Sequence, residues 1–314
     1  MSLPEQTIEP QSSASTLSAD NQRNTANGVI AALSTYLLWG FLPLFFRLLD
    51  SAGSVLIVAE RTIFSLLFLA VILAFVGGFG EVRALLSDTR RLKVLALSSL
   101  LLFGNWMLYV WAVETGQVLE ASFGYFINPL VNVALGMIML GERQSPLQIA
   151  AIVIAGIAIV IQTIAMGSVP FVALGLALSF GIYGFIRKTA AAGPATGLFA
   201  ETLAVSPIAL AIIGYSLLTQ GAGVHADPLM MFLLVMTGPI TAIPLLLFAY
   251  AVKRLRLTTI GMFQYLSPSI QFLVAIFVFG EKLDPVVLVS FVLIWISLVV
   301  FTYDTYRRRG RARA

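Results

Sequence analysis

Apolar residues along this chain come in long unbroken runs. They form neither the stripe of an amphipathic surface helix nor the alternation of a half-buried strand. Crossing a bilayer as a helix takes about 20 mostly apolar residues. Ten runs meet or approach that length: 28–48, 54–76, 94–112, 120–140, 146–164, 169–187, 198–219, 229–251, 259–280 and 285–304. Short hinges part them, among them Asp50-Ser51-Ala52-Gly53, Gly141-Glu142-Arg143 and Gly280-Glu281-Lys282. The sixth run has the weakest helix propensity, because Gly175, Gly181 and Gly184 fall inside it. In lipid those glycines serve better as points of close helix approach than as a loop. Residues 1–26 are rich in Ser, Thr, Asn and Gln and read as a disordered leader. They lack the basic and short apolar regions of a cleaved signal peptide.

Composition agrees with the pattern. Of 314 residues, 59% are hydrophobic and 11% charged, against about 25% charged in an ordinary globular protein. Mean hydropathy is +0.95. A soluble fold could not cover so large an apolar content with so few charges. The absence of cysteine excludes disulfides, thiolate metal sites and a cysteine nucleophile. One histidine, His225, cannot build a His-rich metal centre, so neither metal nor cofactor is expected. No P-loop sequence is present for ATP hydrolysis.

The placement of charge orients the chain. With the N-terminus inside, the inner segments carry Arg23; Arg83, Arg90, Arg91 and Lys93; Arg143; Arg187 and Lys188; Lys253, Arg254 and Arg256; and the tail arginines 307, 308, 309, 311 and 313. The outer side carries only Arg47 and Lys282, with Arg61 inside a span. Sixteen against two is a strong positive-inside signal and places both termini in the cytoplasm. The arginine-rich tail directly follows an apolar span, so it reads as an orientation anchor, and no nucleic-acid partner is expected.

The chain also resembles itself. A shift of 139 residues lays Phe126-Ile-Asn-Pro129 on Tyr265-Leu-Ser-Pro268, Gly141-Glu142-Arg143 on Gly280-Glu281-Lys282, and Pro146 on Pro285. A neighbouring shift of 141 lays Ala59-Glu60 on Ala200-Glu201 and Ser65 on Ser206. The expected fold is therefore all-α and polytopic, with ten transmembrane helices in two inverted five-helix repeats. These span 27–165 and 166–306, followed by a basic cytoplasmic tail at 307–314. Five spans per repeat turn the second half upside down, an arrangement common among secondary transporters.

Several motifs, as they stand here, resemble a known family. They are Tyr36-Leu-Leu-Trp-Gly-Phe41, Gly104-Asn-Trp106, Glu120-Ala-Ser-Phe-Gly-Tyr-Phe-Ile-Asn-Pro-Leu-Val-Asn132, Gly141-Glu-Arg143 and Arg254-Leu-Arg-Leu-Thr-Thr-Ile-Gly-Met-Phe-Gln-Tyr265. Together they resemble the RarD branch of the EamA transporters, within the drug/metabolite transporter superfamily, from about residue 27 to 306. The resemblance implies a bacterial inner-membrane permease for small organic solutes. It supplies neither a substrate nor site residues.

Candidate site residues come from the cost of polar groups in hydrocarbon. Arg61 is either a counter-ion for an anionic substrate group or a structural cation; Glu60 is either a protonatable coupling site or a snorkelling or paired acid. Glu201, its repeat mate, is either a second coupling site or an acid at a helix N-terminus. Glu142 and Glu281 read as turn and cap residues. Among the amides, Asn105, Asn128 and Gln264 are expected to line a cavity, with Asn132 and Gln271 nearby in sequence. Asn128-Pro129 and Ser267-Pro268 predict a pair of broken helices, a pointer to a binding site. An aromatic wall drawn from Trp39, Trp106, Tyr109, Tyr125, Tyr183, Tyr250 and Tyr265, with Trp39, Trp106 and Tyr265 foremost, would suit flat or cationic solutes.

The function expected is secondary active export of a small metabolite or drug-like solute by alternating access, with protons as a candidate coupling ion. Membrane lipid is the surrounding partner, and the protein is a monomer or homodimer. Two other readings stand beside it. A lipid-carrier flippase would share the fold. An intramembrane enzyme would need a dyad or metal at membrane depth, whereas His225 lies in a polar turn and neither G-x-S-x-G nor H-E-x-x-H occurs.

Overall fold

The computed structural model describes residues 11–115, 117–167, 170–221, 223–278, 280 and 285–311, and its regular elements are all helical. They are α1 (Gln11–Phe46), a 3-10 turn (Arg47–Ala52), α2 (Ser54–Val76), α3 (Phe79–Ser87), α4 (Thr89–Glu114), α5 (Val118–Met139) and α6 (Pro146–Met166). Then come α7 (Phe171–Thr189), α8 (Pro194–Gln220), a second 3-10 turn (Gly223–Ala226), α9 (Pro228–Arg254), α10 (Leu257–Gln264), α11 (Leu266–Phe277) and α12 (Pro285–Arg311). Among the described residues nine helical stretches are long and apolar enough to cross a membrane, α10 and α11 together making one of them. The apolar part of α5, Phe123–Met139, is shorter. The chain is an all-α polytopic membrane protein.

Local chemistry sets the helix ends. Ser145 opens α6 with a capping box: its hydroxyl accepts from the Gln148 amide, the Gln148 side chain accepts from the Ser145 amide, and Pro146 takes the first helical position. α2 closes at Gly77, whose φ of 68° suits glycine and lets its N–H reach the Leu73 carbonyl.

Three departures from the sequence reading, and one break that it expected before Pro268, have physical causes. α1 begins at Gln11, inside the expected disordered leader, because extending an existing helix avoids the cost of a new nucleus. The loop after α2 contains α3, whose Val82 and Leu85 are buried in an i, i+3 pair. The ninth run is two helices, broken at Tyr265, where Pro268 cannot donate to the Gln264 carbonyl. Its expected counterpart break is absent: α5 continues through Pro129. A helix tolerates one missing bond when its neighbours hold it, and α5 packs along both α7 and α10.

Two apolar clusters organise the interior. The larger draws Tyr36 from α1, Leu69 and Leu73 from α2, Leu102 from α4, Tyr183 from α7, Leu198 from α8 and Phe248 from α9. The smaller joins Val133 of α5, Ala151, Ala155 and Ala158 of α6, Tyr265, and Ile294 and Phe301 of α12. Outward, Phe75, Ile138, Leu218 and Phe277 stand largely exposed, an apolar surface that lipid solvates. Dispersion and close backbone approach hold such helices together, since lipid is as apolar as the interface. Gly238 of α9 shows it: a Cβ there would sit 2.5 Å from the Phe64 carbonyl oxygen of α2. Gly238→Ala is expected to cost about 1–3 kcal/mol through overpacking. Gly104→Ala meets no atom within 4 Å and should cost nothing comparable. Thermal unfolding in one detergent checks the pair.

Candidate functional site

Neighbouring helices α2, α4, α7 and α8 carry ionisable groups at three levels. At the far end from the basic loops, Glu60 of α2 is buried and its Oε1 lies 2.7 Å from the Nε2 of His225, on the second 3-10 turn. The turn thus brings the chain's one histidine, largely shielded, onto the carboxylate. Which nitrogen carries the proton depends on the tautomer.

Arg61 follows directly and points elsewhere, as adjacent helical residues must. Its guanidinium lies 4.0 Å from the centroid of the Trp106 ring of α4 and 5.7 Å from that of Phe46. Its Nε is buried with no hydrogen-bond partner, and among the described residues it has no carboxylate partner. Tyr125 of α5 comes close enough to Arg61 to interact electrostatically, and the Tyr125 and Tyr109 rings stand 6.1 Å apart. Four predicted site residues, Arg61, Trp106, Tyr109 and Tyr125, therefore meet: a desolvated cation on an aromatic face with two partly exposed phenols beside it.

Trp106 also lines a cavity of about 20 Å³, together with Thr62, Ser99, Thr202, Glu201 and others. Glu201 is 2% exposed and Arg187 fully buried. Glu201 Oε1 accepts from Ser98 Oγ at 2.6 Å and from Arg187 Nη1 at 3.4 Å. Arg187 Nη2 also donates to the carbonyls of Gly193 (3.3 Å) and Pro194 (3.2 Å), where α8 begins. Gly197 makes room for it, since a Cβ there would lie 2.2 Å from Arg187 Nη1. The turn between α7 and α8 is tied down further: Lys253 donates to Ala190 and Ala192, and the Gly193 amide donates to Glu81 of α3. Lys188 donates in turn to Val252 and Leu255, capping the end of α9.

The other predicted residues are placed apart from this group. Asn105 donates to the Leu176 carbonyl and to Ser179, both at 2.8 Å, pinning α4 to α7. Asn132 donates to Gln264 at 2.7 Å and lies 3.5 Å from the Asn128 oxygen, so these buried amides join α5 to α10. Trp39 packs among Tyr36, Phe180 and Phe248, and its carbonyl accepts from Gln271. Tyr265 is fully buried in the smaller apolar cluster. Glu142 caps α10, accepting from the amides of Leu257 and Thr258, while Glu281 lies outside the described residues. The larger cavity, about 540 Å³, takes one candidate aromatic, Tyr250, and none of the other predicted residues. It lies between α1, α8 and α9, lined by Ile30, Ala31, Pro194, Leu246, Leu247 and Tyr250 among others. Sequence reasoning missed His225 and Arg187 as partners. The signal for each was an acid inside a span, which has to find a cation or donor somewhere.

Replacing His225 by alanine should leave Glu60 buried without its partner and cost about 1–3 kcal/mol. A double-mutant cycle with Glu60→Gln, read by thermal unfolding, is expected to show coupling above about 0.5 kcal/mol. Additive losses would mean the two side chains do not support each other.

Residues 26–164 match the EamA-like transporter family. Over 290 residues the chain is 42% identical to an uncharacterized transporter of Pseudomonas aeruginosa, covering 92% of this chain and 97% of that protein. It is 38% identical to protein RarD of Escherichia coli, covering 92% and 99%. It is 27% identical to the chloramphenicol-sensitive protein RarD of Pseudomonas aeruginosa, covering 91% and 96%. One crystal structure superposes with a TM-score of 0.69 over 90% of this chain and 98% of its own, at 17% identity, a likeness of fold alone.

Proposed function

Because the chain belongs to the RarD branch of the EamA family of membrane transporters, we propose that it exports a small organic solute carrying an anionic group, by alternating access between two inverted repeats. Being a small-molecule transporter, it is not an enzyme. The proposed frame is ten spans in repeats at 27–165 and 166–306, with a polar leader before and a basic tail after. Both termini face the cytoplasm of a bacterial inner membrane. The Lys and Arg partition supports that orientation, and the shift-139 self-similarity supports the repeat.

One observation carries the substrate reading. The buried Nε of Arg61 has no hydrogen-bond partner. An unmatched donor on a cation inside a membrane protein costs several kcal/mol unless something fills it in the working cycle. A carboxylate, phosphate or similar anion is the chemistry that fills it, since guanidinium presents a planar fork of donors to such groups. Trp106, Tyr109 and Tyr125 would then contact the flat or apolar body of the solute. Asn105, Asn128, Gln264, Trp39 and Tyr265 keep a place in this reading as residues that open onto the pathway in the opposite conformation. Glu60 and Glu201 are the two acids proposed for proton coupling.

Arg61→Ala is expected to lower transport of an anionic aromatic solute in proteoliposomes at least tenfold in kcat/KM. Arg61→Lys should recover little of it, because an ammonium lacks the planar fork and the stacking face. Wild-type rates from Arg61→Ala with a verified substrate would remove Arg61 from the site.

A further inference from the structure

We propose that Glu201 is the proton-binding group of this transporter, taking up its proton on Oε2 through a single water held in the small cavity beneath Trp106. This rests on the transport reading above and goes beyond it by choosing between the two acids and naming the entry point. The cavity has about 20 Å³, room for one water. Its polar lining is one-sided. Thr62 Oγ1 donates its proton to the Val58 carbonyl at 2.7 Å, Ser99 Oγ to Leu95 at 2.8 Å and Thr202 Oγ1 to Leu198 at 2.8 Å. With those protons spent within their own helices, the three hydroxyls can only accept from the cavity. Glu201 Oε2 is likewise an acceptor, buried and without any hydrogen-bond partner. Apart from the Trp106 indole, the polar groups of the lining are these four acceptors, a set that calls for an occupant that donates. A water between these oxygens, or a proton on Oε2 itself, meets that need.

The charged and polar groups facing Glu201 come from several helices. From α7, Arg187 faces Oε1 at 3.4 Å, and Tyr183 comes within electrostatic range. α2 and α4 present no charged group here, only the hydroxyls of Thr62, Ser98 and Ser99 and the Trp106 indole. Lys253 of α9 and Glu81 of α3 reach the turn between α7 and α8 and bond its backbone. Arg61 sits on Trp106. A sodium ion and a proton would each add one positive charge beside Arg187, so net charge alone does not choose between them. A proton has the advantage of changing the pair itself. Hydronium gives its proton to Oε2, a neutral carboxylic acid forms and water is left behind. Arg187 then keeps its bonds to the Gly193 and Pro194 carbonyls and a weaker, neutral one to Oε1, and the ionic hold on the start of α8 is lost. Trp106 is a wall of both the proton cavity and the Arg61 site, so a solute that moves its ring alters both. Glu60 lacks this arrangement, being occupied by His225 at 2.7 Å.

The site can be read without transport. Infrared difference spectra of the purified protein in lipid nanodiscs, titrated with pH, report the carbonyl stretch of a buried protonated carboxyl group. Wild-type protein and Glu60→Gln should show one such band, and Glu201→Gln should lose it. Sodium in place of potassium should leave the titration unchanged. Should Glu201→Gln not fold, Ser98→Ala carries the test. It removes a donor to the carboxylate and should move the titration of the band to higher pH by about one unit. A band that survives Glu201→Gln, a titration indifferent to Ser98→Ala, or one displaced by sodium would overturn the assignment. Proteoliposome flux separates this from the transport reading: Glu201→Gln is expected to lose accumulation driven by a pH gradient at least tenfold while keeping downhill exchange of the same solute. Loss of downhill exchange in Arg61→Ala alone concerns the substrate site and leaves the proton site standing.

Discussion

A polar group inside hydrocarbon has to be satisfied by the protein itself, because no water is there to do it. That constraint reaches from the backbone to the ionised side chains of this chain. Threonine and serine hydroxyls in the spans return to carbonyls of their own helix, as Thr35 does to Ala31 and Ser99 to Leu95. The amides of Asn132 and Gln264 meet across α5 and α10. Lysines that a topology count treats as loop charges donate to the carbonyls of Ala190, Ala192, Val252 and Leu255 and finish the helices there. Eleven buried side-chain atoms among the described residues have no hydrogen-bond partner, and of these Arg61 Nε and Glu201 Oε2 belong to ionisable groups that border Trp106.

The spans were legible because hydropathy is summed over about 20 residues, so single errors average out. The weakest of them, with its three glycines, is α7, a helix from Phe171 to Thr189. Its Gly181 would bring a Cβ to 2.5 Å from the Val131 side chain of α5, the close approach that glycine permits. Proline was less reliable. Pro129 and Pro268 are equivalent in sequence, yet one sits within a continuous helix and the other follows a break. A proline removes the same bond in both, and the packing around it, which no local pattern reveals, decides whether the helix parts.

Pairings were the least legible part of the site. Glu60 and His225 are separated by 165 residues and meet only because the second 3-10 turn lies over the end of α2. Arg187 looked like a basic residue at a helix end, and it does stand in the last turn of α7. Its burial comes from Gly197, whose missing side chain leaves the space the guanidinium fills. The predicted aromatic wall divided for a similar reason. Tyr109 and Tyr125 remain partly exposed beside Arg61, while Trp39 and Tyr265 face helix interfaces that the period of their own helices cannot identify.

Setting a stacked cation and a cavity that holds Glu201 against one indole has a mechanical consequence. Arg61 and Trp106 belong to α2 and α4, while Glu201 and Arg187 belong to α8 and α7. The Trp106 ring therefore sits where two helix pairs meet, and any motion that opens one end of the molecule must carry it along or slide past it. A buried ion pair costs desolvation that its attraction barely repays, and in a static bundle an apolar pair would hold α7 to α8 as well. Its presence is better explained by the need to weaken that junction on demand. A carboxylate can be discharged by one proton, and an apolar contact offers no such control.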